Sequence, residues 1–222
     1  MIYMCGRYGF IPGQDFITRF EIENAEFELR PVYNAAPGMI MPVVTQNSPK
    51  KIEHMKWGLV PFWAKDPRIG YRMINARSEG IETKPSFRAS LKNRRCLIPA
   101  SGFFEWARVG KEKTPYYFRL KSSEMFAFAG LYDIWKDAEN VEMRTYTIIT
   151  AGANELVARI HDRMPVILSP KVGDLWADNS AFDPSRLLPL LKPYPEDEMN
   201  SHRVSPLVND PTNNSADILD PD

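Results

Sequence analysis

Cys5 directly follows a second methionine, Met4, close to the amino terminus. A mature chain beginning at Cys5, through initiation at Met4 or removal of residues 1–4, carries a free α-amine and a thiol on one carbon. Such a 1,2-aminothiol condenses with an aldehyde through its amine, and its thiolate then closes on the imine carbon to give a thiazolidine. The thiol alone can also act as an acyl-transfer nucleophile. The plainer role for Cys5 is that of a small buried hydrophobe in a first strand.

Three further polar residues have the types that such chemistry needs. Glu105 sits between Phe104 and Trp106 in an apolar run. Strand alternation turns it to the face opposite both aromatics, and an apolar cleft there raises its pKa toward that of a general acid and base working near neutral pH. A surface Glu on a half-exposed strand is the alternative. His161, one of three histidines, lies in a polar knot with Asp162 and Arg163. It titrates where proton transfer at neutral pH is needed, although a lone histidine is more often a structural hydrogen-bonding residue. Asn75 has the groups to orient an amine or a carbonyl, with a turn asparagine as the ordinary reading.

The elements that must position these residues are mainly strands. Strands are predicted at Gly6–Phe10, Met39–Thr45, Lys51–Leu59, Arg95–Pro99, Gly102–Ala107, Pro115–Leu120 and Val166–Leu168. The continuous apolar or β-branched runs Met125–Ile134 and Thr145–Thr150 read as strands buried on both faces. Residues 31–38 read as an extended ordered loop, residues 47–50 as a hairpin turn, and Val204–Val208 as a last strand. Short helices are predicted at Gln14–Phe20, at Ser86–Leu91 behind a serine cap, near Asn154–Ile160 and Leu175–Trp176, and at Arg186–Leu191. The expected fold is α+β, a single domain of curved, mainly antiparallel, barrel-like sheets with peripheral short helices. Residues 1–4 are expected as a leader, 5–210 as the domain and 211–222 as a surface tail.

Hydrophobic content of 44% and 28 basic against 28 acidic residues fit a globular protein and exclude a wholesale polyanion binder. No stretch reads as a membrane span or signal peptide, so a cytoplasmic protein is expected, or a nuclear one if the source has a nucleus. Cys5 and Cys96 have no companions at metal-ligand spacing, so neither a metal site, a cofactor nor a disulfide framework is expected. Charge is unevenly spread. From Lys65 to Arg95 nine basic residues stand against three acids, and from Lys171 to Asp222 four basic residues face ten acids. A basic central face attracts phosphates, while a solvated loop with its charges pointing apart is the alternative. Beside it, Trp57, Pro61, Phe62 and Trp63 alternate stacking surfaces with arginines, as in grips on single-stranded nucleic acid, with core packing expected for all but one or two of the four.

The ordered series Met4-Cys5-Gly6-Arg7-Tyr8, Tyr33-Asn34-Ala35-Ala36-Pro37, Trp57-Gly58-Leu59-Val60-Pro61, Ile74-Asn75-Ala76-Arg77-Ser78-Glu79, Gly102-Phe103-Phe104-Glu105-Trp106, Phe126-Ala127-Phe128-Ala129-Gly130-Leu131-Tyr132 and His161-Asp162-Arg163-Met164-Pro165 resembles the SRAP family of SOS-associated, abasic-site processing proteins. The resemblance runs from Cys5 to about residue 219. It implies a monomeric protein that binds single-stranded DNA containing an abasic site and captures the lesion as a covalent thiazolidine. Carried onto this chain, Cys5 is the crosslinking residue, Asn75 positions its amine and thiol, Glu105 shuttles protons and His161 assists with the opened sugar. Arg7, Asn34, Arg77 and Arg163 then face the DNA, and Pro37 and Trp63 wedge and stack it.

The chain departs from the family in carrying Met1-Ile2-Tyr3 before the Met-Cys pair. Autoproteolytic removal of a leader, attributed to some family members, is one route to a free amine, and a start at Met4 is another. The rival class is an N-terminal-nucleophile amidohydrolase that uses the Cys5 thiol against an amide. A purely non-covalent single-strand binder is the third. The intact mass of the expressed protein tests the requirement shared by the first two: loss of residues 1–4 is expected, and a chain that keeps them all cannot form the thiazolidine.

Overall fold

The two longest apolar runs lie side by side. In the computed structural model, which describes residues 5–13, 16–22, 29–46, 50–110, 112–122 and 124–222, they form neighbouring antiparallel strands. In chain order the elements are β1 (Tyr8–Phe10), α1 (Phe16–Arg19), β2 (Val32–Ala35), β3 (Ile40–Gln46), β4 (Lys50–Trp57), β5 (Asn75–Arg77), α2 (Arg88–Asn93), β6 (Arg95–Ala100), β7 (Gly102–Val109) and β8 (Glu112–Leu120). There follow β9 (Phe126–Lys136), β10 (Glu142–Gly152), α3 (Glu155–Ala158), β11 (Arg163–Pro165), β12 (Ile167–Leu168), α4 (Pro170–Ala177), α5 (Pro184–Leu187) and β13 (Met199–Arg203).

Strands β10, β4, β3, β6 and β9 are hydrogen-bonded in that order, and pairing of β9 with β10 closes the ring. Only the β10–β4 step is parallel, so this is a closed mixed barrel. Closure removes the exposed edges that long apolar strands otherwise present. A second sheet, in the order β13-β8-β7-β1-β2, packs one face on the barrel. Tyr8 lies edge-on to Phe128, and Phe103 stacks on Phe118 and meets Phe128 across the seam. The Tyr8 and Tyr146 hydroxyls hydrogen-bond at 2.8 Å inside it. The other face carries Phe104 and Tyr117 and is covered by Val204, Val208 and Ile218.

Strand β10 gathers polar residues from two other strands. Its distal half pairs in parallel with β5, setting Ile148 opposite Asn75 and Thr150 opposite Arg77. Further on it pairs antiparallel with β11, with Gly152 opposite Arg163. Asn75, Arg77 and Arg163 are thereby brought to one end of the barrel. At Gly58 the chain leaves β4 with φ of 125°, and an added Cβ would lie 2.7 Å from the Gly70 carbonyl oxygen. Only glycine fits that exit.

Four expectations are corrected. Residues 32–35 form a strand rather than a loop, paired to β1 with Tyr8 opposite Ala35. The last strand is β13, and residues 206–209 form a 3-10 turn begun by Pro206 and capped by Ser205. The helix expected from Ser86 is α2, which starts at Arg88, with Phe87 at its cap and no side-chain cap bond. Residues 211–222 are mostly exposed, but Ile218 is fully buried and Val204 bridges Pro221. Residues 1–4, the start of the helix expected at Gln14 and the turn residues 47–49 lie outside the described residues.

One buried cation joins two helices to the barrel. Arg95 has no solvent exposure. Its guanidinium donates to the carbonyls of Leu91 and Lys92 at the end of α2, of Trp176 and Asp178 at the end of α4, and of Ala181. It thus satisfies helix-end carbonyls that lack intrahelical donors. Arg95→Met strands all of these acceptors and is expected to lower unfolding free energy by about 3 kcal/mol or more. Urea unfolding measures it, and a loss under about 1 kcal/mol means that those carbonyls find water instead.

Candidate active site

Cys5 lies three residues before the start of β1 and is 1% exposed. Its backbone N–H donates to Glu105 Oε1 at 2.6 Å in a buried contact. Glu105 reaches it because β7 alternates: Phe104 and Trp106 point to the outer cluster, while Phe103 belongs to the main core with Cys5. Burial pushes the Glu105 carboxyl from 4.5 up to about 8, with a smaller push from Asp162, against the bonds it accepts from the Cys5 and Trp106 amides. Burial, and then the Glu105 charge, hold the Cys5 thiol well above its ordinary value. The carboxyl thus meets the nitrogen of Cys5 directly, while its charge disfavours the thiolate. Cys5 has φ of 40°, a left-handed conformation that costs a residue with a side chain about 1 to 2 kcal/mol.

His161 is mostly buried and follows α3. Its Nδ1 accepts from the Arg163 amide at 3.1 Å, so the neutral ring carries its proton on Nε2. Asp162 Oδ1 lies 3.0 Å from the same Nδ1 but is largely exposed, and an ion pair forms there only when the ring is protonated. Asn75 is half-buried on β5.

The expected DNA-facing residues divide. Arg7 donates to Asn34 Oδ1 at 2.8 Å, to the Val208 carbonyl at 2.6 Å and to that of Asn209 at 3.1 Å. Asn34 is buried and gives its amide to the carbonyls of Val208, Asp210 and Asn213. These two residues pin the C-terminal segment. Arg163 is buried; its guanidinium forks onto Glu79 and reaches the Thr150 carbonyl at 2.6 Å, while its Nε has no hydrogen-bond partner. Arg77 is exposed and makes no ion pair among the described residues. Pro37 lies half-buried in the turn after β2.

Within the basic stretch, Arg68 pairs with Asp66, Arg94 with Asp133, and Arg95 is internal. Lys84 donates to the carbonyls of Arg77 and Glu79. Lys65, Arg72, Arg77 and Arg88 remain exposed and unpaired among the described residues. Of the four aromatic-proline residues, Trp57 and Pro61 are buried, whereas Phe62 is 54% and Trp63 47% exposed. Those two rings border an open groove of about 410 Å³ with Pro85, Arg88 and Ala89. Sequence reasoning passed over Asp133, although a lone carboxylate closing the run Phe126–Tyr132 is the same signal that singled out Glu105. Among the described residues, no group of three or more His, Cys, Asp or Glu side chains is arranged to hold a metal, and no helix is long and apolar enough to cross a membrane.

At the seam between a closed mixed barrel and a second sheet, the structure thus holds a cysteine nitrogen on a buried carboxyl. The chain belongs to the SOS response associated peptidase (SRAP) family, whose model matches residues 4–211. It is 46% identical over 222 residues to the abasic site processing protein YoqW of Bacillus subtilis, covering 98% of this chain and 99% of that one. It is 31% identical to the abasic site processing protein HMCES of Xenopus tropicalis, over 86% of this chain and 66% of that one. A crystal structure of a Bacteroides thetaiotaomicron protein superposes with a TM-score of 0.79 at 31% identity, covering 86% of this chain and 85% of that one. A Bordetella bronchiseptica protein, 22% identical, shares the fold with a TM-score of 0.76 over 90% of this chain and all of its own.

The Glu105 environment sets a pH dependence. Its carboxyl binds a proton more tightly in the folded chain, near pH 8, than in the unfolded chain, near 4.5. Its contribution to stability is therefore fullest below about pH 4.5 and is lost as pH rises through about 8. Glu105→Gln lacks this loss, so its urea midpoint should gain on wild type across that window and level off above it. A difference between the two that does not change with pH removes the buried, protonated carboxyl.

Proposed function

We propose that the protein captures abasic sites in single-stranded DNA through a covalent thiazolidine at Cys5, shielding the lesion during the response to DNA damage. The observation that carries this reading is the 2.6 Å contact between the Cys5 nitrogen and a carboxyl whose pKa is about 8. Membership of a family whose relatives are named for abasic site processing supports it.

The α-amine of Cys5, once free, adds to the C1′ aldehyde of the ring-opened sugar. The carbinolamine loses water to give an imine, and the thiol adds across the C=N bond, its proton passing to nitrogen. One water leaves and nothing is oxidised or reduced. An α-amine titrates near 8, so proton exchange with Glu105 is close to thermoneutral in either direction. The carboxylate takes a proton from the attacking nitrogen, and the carboxylic acid returns it to the departing hydroxyl. Because the thiol's pKa is raised, it stays protonated while the amine acts and enters second. That order runs against the amidohydrolase reading, in which a thiolate leads.

Exposure of the amine requires that residues 1–4 be absent or cut away. The left-handed φ at Cys5 favours cutting, since breaking the Met4–Cys5 peptide releases that strain. The carboxylic acid form of Glu105 lies next to the nitrogen that departs. In this proposal Asn75 and His161 orient the amine and the opened sugar. Arg77 and Arg163 meet the flanking phosphates, Pro37 and Trp63 wedge and stack the strand, and Arg7 and Asn34 act by fixing residues 208–213.

Incubation with an abasic single-stranded oligonucleotide should give a denaturant-stable adduct. Cys5→Ala should abolish it while retaining binding, and Glu105→Gln should slow it by about a hundredfold or more. Non-covalent affinity should fall steeply with salt as phosphate neutralisation releases counterions. Ammonia from glutamine with no adduct on DNA sinks the proposal.

A further inference from the structure

Phe62 and Trp63 stand out from the surface on a loop, yet the loop is held at alternate residues by side chains of two barrel strands. Thr145 Oγ1 accepts from the Val60 amide at 2.8 Å, Asp133 Oδ2 from the Phe62 amide at 3.1 Å, and Trp135 Nε1 donates to the Ala64 carbonyl at 2.6 Å. Thr145 and Asp133 are direct cross-strand partners in β10 and β9, and Trp135 lies two residues beyond Asp133. Exposed loops are normally tied down by their own backbone and by water. Here two buried side chains, Thr145 and Asp133, and the part-buried Trp135 fix the peptide groups on either side of two exposed rings.

Asp133 does more than hold one wall. It is 1% exposed, and besides the Phe62 amide it accepts from its neighbour Ile134, from Arg94 Nη1 at 2.8 Å and from Ser90 Oγ at 3.4 Å. Ser90 is on α2, whose first turn supplies Arg88 and Ala89 to the groove bordered by Phe62 and Trp63. One carboxylate thus touches the aromatic wall through the Phe62 N–H and the basic wall through the Ser90 hydroxyl. Stacking a flexible strand between a ring and an arginine depends on the spacing of the two, because a preformed gap avoids the ordering cost of binding.

We propose that Asp133 is a positioning residue that sets the separation of the two walls of this groove for a single strand of nucleic acid. The proposal rests on the single-stranded DNA reading above for the identity of the occupant. It does not rest on that reading for the role of Asp133. A residue buried only to stabilise the barrel would carry no particular coupling to Trp63.

Two measurements on the full chain separate these. The first is hydrogen exchange at residues 60–64 without DNA: Asp133→Asn should lose protection there while the barrel strands keep theirs. The second is a double-mutant cycle of Asp133→Asn with Trp63→Ala, read as affinity for a single-stranded oligonucleotide. Each single variant should weaken binding about tenfold, and the double variant scarcely more than either. For Asp133→Asn the concentration for half-maximal capture should rise while the rate at saturation stays within about twofold. Unchanged exchange at 60–64, or losses that simply add, overturns the proposal. Should Asp133→Asn not fold, Ser90→Ala and Trp135→Phe each remove one anchor and carry the same cycle with the same outcomes. If wild type binds no single strand, the function reading fails, while exchange at 60–64 still decides the role of Asp133.

Discussion

The structure turns on a buried carboxyl that accepts from the backbone N–H groups of Cys5 and Trp106. Glu105 lies in the seam between barrel and sheet, on the face of β7 that also carries Phe103, and its Oε1 meets the amide of Cys5. Removing a carboxylate from water is costly, and the ordinary outcome is a raised pKa. Every unit of that rise corresponds to about 1.4 kcal/mol of lost preference for the charged form. A fold selected only for stability would place an aliphatic residue there. The same burial that weakens the fold as pH rises lets a proton sit on the carboxyl or leave it, beside the Cys5 nitrogen.

The other buried ionic groups are treated differently, and the contrast shows which of them are structural. Arg95 is surrounded by carbonyls and Asp133 by donors, so each is fully occupied. Arg163 is occupied at the fork but not at Nε. Spending cations in this way changes the surface. The run from Lys65 to Arg95 reads as strongly basic, yet Arg68, Arg94 and Arg95 are neutralised or internal. Among the described residues of that run, the cations left exposed without an ion pair or hydrogen bond are Lys65, Arg72, Arg77, Arg88 and Lys92, the last of these over the Phe182 ring. With net charge at zero, a polyanion would meet only the arrangement of these few free charges.

Much of the site was legible in the sequence because it depends on local rules. The alternation of Phe104, Glu105 and Trp106 places the carboxyl opposite both aromatics, as observed. Apolar runs at 126–134 and 145–150 announce strands buried on both faces, and burial along β9 and β10 follows them. Strand order was not legible. The parallel pairing of β10 with β4 that closes the barrel joins residues about ninety positions apart, and no local pattern encodes it. Residues 32–35 looked too polar and too near a proline for a strand. They form one because Asn34 turns its amide to the carbonyls of the C-terminal segment, and so satisfies groups that tertiary structure alone supplies. The contacts of Arg7 and Asn34 were not legible for the same reason, since these partners lie some 175 to 200 residues away.

That C-terminal segment bears on the chemistry even though it touches neither Cys5 nor Glu105 in any described contact. β7 is a two-faced strand: the inner face sets Glu105 against Cys5, and the outer face must be covered for the strand to sit still. Val204, Val208 and Ile218 provide the cover over Phe104, and Trp106 Nε1 bonds Asn209 Oδ1 at 2.7 Å. Both aromatic neighbours of Glu105 are therefore fixed from the far side by residues beyond 200. Arg7 closes the loop, since it follows Cys5 by two positions and holds the carbonyls of Val208 and Asn209. The two partners in the 2.6 Å contact are thus each anchored to the same segment by independent bonds. The residues beyond 200 are, in the folded protein, the cover over the outer face of β7, and the stretch that reads as a tail adds the fully buried Ile218 to it.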